Sequence, residues 1–505
     1  MNFNQDDKKA GEITKLIHSK KSAYWEKRRE TNALALFKKA SKEVPAYKDF
    51  LKKNKIKTEK IKSFKDFNLI PTFSKKTYLK DYPLEKVAWD GNLNKPLIYT
   101  STSGSTGEPF YFPRENKLDW EYSVMIDWFL KNSSYKSNGP VLVIIGFGMG
   151  VWIGGLITYK AFEISAQRSK IPISIITPGI NKGEIFKAFR NLSPHYKETI
   201  LVMYPPLMKD VLDEAATQGI NLKKLNIRLL TAAETYTEKF RDYIARKTGI
   251  KNVYRDTLNI YGTADIGAMA WETPTSILVR RLAMHSNKLF KDIFGPIEKT
   301  PTLAQYNPEF ITFESVNGEI VLTGNNTIPL IRYAVGDHGG VLSFNEIKTK
   351  IESHGFDFKE EAKKAGIEDA ITELPFVYVY ERNDFSTTLY GAQIYPEIIR
   401  ETLLAKPITK FLTGKFTLLT KYDKKQNQYL EINLETKKNK KISSVFKKNV
   451  LMRIVTDLRA KNSEFRELTN HFHKRIYPKL VFWCYEHPLY FKPGIKQKWV
   501  KKGGD

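Results

Sequence analysis

Apolar positions change their spacing along the chain, and each spacing predicts a different kind of element. Over residues 30–53, Ala33, Leu36, Ala40 and Val44 recur every three or four positions, the mark of an amphipathic helix, with Pro45 expected to close its regular part. A connector leads to Leu69-Ile70-Pro71, and residues 74–79 predict another helical turn. From residue 97 to about 322, short apolar runs at 141–145, 173–176, 200–203, 227–231 and 258–261 alternate with amphipathic helical patterns. That alternation predicts an α/β fold. From about Phe385 the pattern changes again: 416–421 and 429–434 read as a strand pair, and 443–460 as a helix. A small α+β domain is therefore expected behind a large α/β one. No internal repeat is visible.

One uncharged stretch raises the question of a membrane. Residues 139–159 run for 21 positions without a charge, long enough to span a bilayer. The stretch contains Gly146, Gly148, Gly150, Gly154 and Gly155. A buried strand, a glycine-rich turn and the start of a helix account for it better, so no membrane span is expected.

Composition narrows the picture further. The chain has 505 residues, 41% hydrophobic and 13% aromatic, enough for about two to four domains with a large buried core. Its net charge of +27 would suit nucleic acid, anionic lipid or small polyanions. The lysines are spread along the chain, and the densest stretches (52–65 and 437–448) carry no aromatic-studded RNA motif. A solvated lysine-rich surface is the expectation, and nucleic acid is not an expected partner. The single cysteine, Cys484, excludes an internal disulfide and a four-cysteine zinc site. It fits a reducing cytoplasm, and residues 1–20 lack the apolar core of a signal peptide.

The strongest local signal follows the strand-like Leu97-Ile98-Tyr99. Thr100-Ser101-Thr102-Ser103-Gly104-Ser105-Thr106-Gly107-Glu108-Pro109 combines small hydroxyl residues with two glycines. Glycines allow the backbone to approach a phosphate, successive N–H groups form an anion nest, and hydroxyls add neutral donors. No Gly-Lys-Ser/Thr ends the segment, so it is not a Walker loop. A flexible Ser/Gly turn has the same composition.

Residues 102–109 resemble the phosphate loop of adenylate-forming enzymes, the superfamily of acyl-CoA synthetases, luciferases and peptide-synthetase adenylation domains. Within it, "VPAYKDF" and "KSFKDFNLIPTFSKKTYLKDYP" between Ala40 and Pro83 are similar to the opening of the phenylacetate–CoA ligases and their capsule-biosynthesis relatives. The resemblance covers nearly the whole chain, in the family's motif order. Leu229-Leu230-Thr231-Ala232-Ala233-Glu234 resembles the strand and turn whose backbone lines the adenine pocket. Asn259-Ile260-Tyr261-Gly262-Thr263-Ala264-Asp265 resembles the motif whose aromatic ring stacks on adenine and whose last carboxylate binds magnesium. Asp265 stands where Glu is usual, and Ala264 replaces a hydroxyl residue that Thr263 could supply. The shorter Asp suits ligation through a water.

Further along, Pro329-Leu330-Ile331-Arg332-Tyr333-Ala334-Val335-Gly336-Asp337 resembles the segment whose aspartate accepts both ribose hydroxyls, two donors for two carboxylate oxygens. Glu381-Arg382-Asn383-Asp384 resembles the hinge, with Arg382 on the nucleotide and Asp384 the pivot; Glu381 replaces the usual glycine. Lys492-Pro493-Gly494-Ile495-Lys496-Gln497-Lys498 resembles the terminal turn that presents a lysine to the carboxylate and α-phosphate. Lys496 is the first candidate and Lys498 the second, because Ile495 intervenes after the glycine.

The resemblance implies an N-terminal adenylation domain at 1–380 (including a helical segment at 1–95), a hinge at 381–384 and a C-terminal lid domain at 385–505. It implies ATP-dependent activation of a carboxylic acid to an acyl-adenylate and transfer to coenzyme A, with ATP, Mg2+, coenzyme A and a small carboxylic acid as partners. The ATP-binding set is Thr102, Ser103, Gly104, Ser105, Thr106, Gly107, Ala233, Glu234, Tyr261, Gly262, Thr263 and Asp337. Phe147, Trp152 and Tyr204 are candidates for the acyl pocket, and Asp265 for the metal. A homodimer stays open, as do transfer to an amine, sugar or carrier protein and a non-catalytic nucleotide-binding role.

Overall fold

The apolar runs of the central region become strands covered on both sides. In the computed structural model, which describes residues 3–101, 110–150, 153–297, 300–382 and 387–491, β1 (Ile98–Ser101) and β2 (Tyr111–Arg114) form a two-stranded sheet. Next come β3 (Val141–Gly146), β4 (Ile173–Ile176), β5 (Glu198–Met203), β6 (Ile227–Ala232) and β7 (Thr257–Thr263). Every residue of β3 and β5 is buried, as continuous apolar runs in a parallel sheet require. The turn and helix expected after β3 are present, the helix as Ile153–Arg168. Among the described residues no helix is long and apolar enough to cross a membrane.

Beyond β7 the sheet changes direction. β8 (Gly267–Trp271), β9 (Thr302–Gln305), β10 (Ile311–Val316), β11 (Glu319–Gly324), β12 (Leu330–Leu342) and β13 (Phe376–Arg382) complete an eleven-stranded sheet. Its order is β10-β11-β12-β13-β9-β8-β7-β6-β5-β3-β4. The strands from β4 to β7 in this order pair parallel, and every pairing from β7–β8 to β10–β11 is antiparallel. The strand–helix alternation expected as far as residue 322 thus stops at β7. Helix pairs still lead to β9 (Pro274–His285 and Asn287–Phe294) and to β13 (Phe344–Ser353 and Phe358–Lys364), but β9 to β12 follow one another without helices. Asn317 and Gly318, both at positive φ (53° and 80°), join β10 to β11 as a two-residue hairpin loop.

The helix expected over 30–53 is two helices, Ser22–Glu43 and Pro45–Lys53. The first helix ends at Glu43, just before Pro45 as expected, and Pro45 also opens the second, because at the first helical position its missing N–H removes no bond and its fixed φ is already helical. Val44 is the extended joint between them. Ala33, Ala40 and Val44 are buried as expected, but Phe37 fills the core where Leu36 stays half-buried. The turn expected at 74–79 is the π-helical Lys75–Leu79, capped by Ser74, whose hydroxyl accepts from Thr77 N at 3.4 Å.

Two units emerge from the packing: 1–100, 111–203 and 211–383 in the first, and 101–110, 204–210 and 384–505 in the second. The second unit has a hairpin of β14 (Thr387–Leu389) and β15 (Ala392–Ile394). It also has a three-stranded sheet of β16 (Leu412–Tyr422), β17 (Gln428–Thr436) and β18 (Lys479–Trp483). β16 and β17 pair antiparallel, while β18 returns parallel to β17 after the helices Ser444–Lys461 and Ser463–Phe472. The expected strand pair and helix are all present.

Candidate functional site

In an open α/β sheet, ligands bind beyond the carboxyl ends of the parallel strands, where backbone groups and side chains converge. The candidate residues of the first unit collect there. Phe147 directly follows β3, Ala233 and Glu234 follow β6, and Tyr261, Gly262 and Thr263 end β7. Ala233 holds φ at +74°, the left-handed region, so the chain turns sharply on leaving β6. Asn259 fixes that turn from β7: its Nδ2 donates to Glu234 O at 3.1 Å, and its Oδ1 accepts from Thr231 Oγ1 at 3.0 Å.

Two reciprocal rungs tie the end of β7 to β12. Tyr261 Oη donates to Asp337 Oδ2 at 2.6 Å, and Tyr333 Oη donates to Asp265 Oδ2 at 2.5 Å. Each segment therefore contributes one tyrosine and one aspartate, four residues apart. All four residues are buried, with Asp337 at 4% and Asp265 at 8% exposure. The expected adenine-stacking ring and the expected ribose carboxylate, 76 positions apart, are brought together. Thr263 Oγ1 is buried without a hydrogen-bond partner, so the hydroxyl that could replace the one lost at Ala264 is uncommitted.

Asp265 has a second partner, which the sequence did not single out. Lys75 Nζ lies 3.3 Å from Asp265 Oδ1 and over the Phe112 ring at 5.2 Å. It reaches there because the preceding Phe73 bridges to β12: Phe73 N donates to Arg332 O at 3.3 Å, and Ala334 N to Phe73 O at 2.8 Å. Arg332 clamps the same segment by donating to the carbonyls of Phe67 (2.7 Å) and Ile70 (2.5 Å). No group of three or more His, Cys, Asp or Glu that could hold a metal exists among the described residues. One carboxylate already facing an ammonium is too small a donor set for a resident ion. It is sufficient for a magnesium that arrives on phosphate oxygens and keeps most of its waters.

Behind the β6 turn lies a set of six charges, four of them buried and the pair Arg281 and Asp242 reaching toward solvent. Arg241 donates to Glu238 (3.0 Å), to both oxygens of Glu272 (2.8 and 2.7 Å) and to Thr257 (2.6 Å). Arg280 joins Glu238 and Glu272, and Arg281 joins Glu238 and Asp242. Glu272 also accepts the backbone N–H of Asn259 at 3.0 Å, linking the set to the residue that fixes the Glu234 turn. Burial opposes ionisation of Glu238, but Arg241, Arg280 and Arg281 outweigh it and hold its carboxyl at about 2. Three arginines and three acids make the set neutral.

The remaining candidates are placed less fully. Thr102, Ser103, Gly104, Ser105, Thr106, Gly107, Trp152, Asp384, Lys496 and Lys498 lie outside the described residues. The backbone of Arg382 ends β13 directly opposite Asp337. Of the expected acyl-pocket residues, Phe147 is buried in the first unit and Tyr204 falls in the second.

The large sheet, part parallel and part antiparallel, and the small C-terminal three-stranded sheet make up a fold shared with a solved acyl-CoA ligase. A solved 2-hydroxyisobutyryl-CoA ligase, in complex with 2-HIB-AMP and CoA in the thioesterification state, superposes with a TM-score of 0.61 at 12% identity. The match covers 96% of this chain and 91% of that one. The same ligase in the postadenylation state, with R3-HIB-AMP, gives 0.51 at 14% identity over 94% and 91%. No protein-family profile matches the chain, and no curated protein sequence does.

Proposed function

We propose that the chain activates a carboxylic acid with ATP as an acyl-adenylate and passes the acyl group to coenzyme A. The observation that carries this reading is the pair of tyrosine–aspartate rungs at the carboxyl end of β7, which hold together the two residues expected to grip adenosine. The fold shared with a ligase crystallised with an acyl-adenylate analogue and CoA supports it.

Adenine lies between the Ala233–Glu234 turn and the Tyr261 ring, and the ribose hydroxyls donate to Asp337. The triphosphate follows the loop at 102–107, with Thr263 Oγ1 as a further donor. Asp265 would hold a magnesium ion accompanying ATP, and that ion would offset the charge of the phosphates. The acid's carboxylate oxygen attacks the α-phosphorus, pyrophosphate leaves, and a mixed anhydride remains. The sulfur of coenzyme A, losing its proton, then attacks the carbonyl carbon and AMP departs. Two anions meet in the first step, so positive charge and oriented donors do most of the work. Lys496 and Arg382 supply that charge, and Asp384 is the pivot between half-reactions. The likeness of residues 40–83 to the phenylacetate–CoA ligases supports an aromatic or otherwise apolar acid.

Pyrophosphate exchange across a panel of acids, with and without coenzyme A, tests the reading. Acid-dependent exchange is expected, with AMP and thioester appearing once coenzyme A is added. Exchange without thioester formation would move the acceptor to an amine, sugar or carrier protein. Absence of exchange with every acid would sink the proposal. Asp337→Ala removes charge-assisted hydrogen bonds worth about 1.5–3 kcal/mol, so ATP affinity should fall by about ten- to a hundredfold. The ATP-induced rise in melting temperature should shrink accordingly.

The hinge has its own signature. Asp384→Pro fixes φ near roughly −65° at the proposed pivot. One half-reaction should survive and the other should be lost; equal loss of both in a folded variant would show that the pivot lies elsewhere.

A further inference from the structure

The carboxylate proposed for magnesium already has a cation beside it. Asp265 is 8% exposed, and its two oxygens face different partners. Oδ2 accepts from Tyr333 Oη at 2.5 Å, and Oδ1 faces Lys75 Nζ at 3.3 Å. The lysine is the more exposed member of this ion pair, its side chain at 30% against 9% for the aspartate. A metal ion seeking Oδ1 therefore competes with an ammonium that solvent can reach.

The backbone beneath that ammonium is fixed. Phe73 is bridged to Arg332 and Ala334 of β12, and Ser74 caps the helical turn that Lys75 opens. The charge itself can move: lysine carries a compact ammonium on a flexible stem, where an arginine would lock onto the carboxylate with a planar fork. Its cation–π contact is with Phe112 of β2, the strand that directly follows the proposed phosphate loop in the chain. A magnesium shared between Asp265 and the phosphates brings those phosphates to the carboxylate that Lys75 already faces. The two cations compete for the carboxylate, and both suit the phosphates.

We infer that Lys75 is the resident counter-ion of Asp265 and sets how strongly ATP binding depends on magnesium. It balances the buried carboxylate in the ligand-free protein, yields Oδ1 to the metal that accompanies ATP, and then turns its charge to the phosphates. The inference rests on the ATP-dependent reading above and gives that reading a residue to which none of its motifs assigns a role.

Calorimetry of ATP binding, once with a chelator and once with saturating magnesium, tests it without turnover, since no acid is supplied. The quantity read is the ratio of the affinity with magnesium to the affinity without it. Lys75→Met and Lys75→Gln drop the charge and should each raise that ratio by about tenfold. Metal-free ATP then meets an uncompensated Asp265, while the metal loses its competitor. Lys75→Arg keeps the charge and should hold the ratio at or below the wild-type value, and Asp265→Asn should lower it. Lys80→Met removes a like charge from the exposed residue that caps the same turn and should leave the ratio unchanged. A ratio that stays put in folded Lys75 variants, or rises as much in Lys80→Met, overturns the inference and leaves ATP binding standing. An ion pair with a merely structural role would cost stability and leave the ratio unmoved. ATP that fails to bind the folded wild type under either condition overturns both.

Discussion

Lys496→Ala should slow adenylation by about a hundred- to a thousandfold while leaving ATP affinity nearly intact. A cation that meets the α-phosphate chiefly in the transition state lowers the barrier more than it tightens the ground state. Losing one such donor in a closed site costs about 2.7–4 kcal/mol. Thioester formation from a supplied acyl-adenylate should continue, because the lysine acts in the first half-reaction only. Lys498→Ala is the matched control, with an expected loss below about tenfold. Rates that reverse the two lysines would shift the assignment by two positions and leave the reaction unchanged. Full adenylation activity in both variants would mean that the terminal basic segment takes no part in the chemistry.

Glu272→Gln should destabilise the fold by about 3–5 kcal/mol, the usual cost of breaking a buried ion pair on one side only. Glutamine keeps the shape but leaves Arg241, which donates to both carboxylate oxygens, with an uncompensated buried charge. It also weakens the acceptor of Asn259 N–H, and with it the support of the Glu234 turn. Urea unfolding, read as a change in midpoint at constant slope, checks the size. A loss below about 1 kcal/mol would show that water reaches the set. The acid limb of stability should carry its mark too. Glu238 sits at about 2 when folded, below the ordinary carboxylate value, so its contribution is complete above about pH 4.5 and disappears as pH falls toward 2.

The parallel half of the sheet was legible because its strands are covered on both faces, so burial writes itself as unbroken apolar runs such as 141–145 and 200–203. The antiparallel half was harder. Its strands β10, β11 and β12 follow one another with no helix between them, and the clearest clue, Asn317-Gly318 at a hairpin tip, is a local turn signal outside the apolar pattern. Pro45 marked the end of the first helix, but the second helix that starts on it went unread, because proline both stops a helix and starts one at its first position and spacing alone does not separate the two.

Motif residues along β6 and β7 could be read locally, since each motif is contiguous. Their pairing with β12 could not: Tyr261 meets Asp337 across 76 positions, and Asp265 meets Lys75 across 190. Arg241 lies on a helix rich in charge, where exposure is the default, and Arg280 sits beside Arg281 on a mostly apolar helix. What buries them is Glu272 on a separate strand end.

Salt should act in opposite ways on the two populations of charge in this protein. Its +27 resides mostly in exposed lysines, whose mutual repulsion is screened within a Debye length of about 10 Å at 0.1 M salt. The buried members of the arginine–carboxylate set behind the Glu234 turn, Arg241, Arg280, Glu238 and Glu272, are shielded from counter-ions and already balance in charge, so screening takes little from them. Moderate ionic strength therefore relaxes the surface without loosening the support of the site.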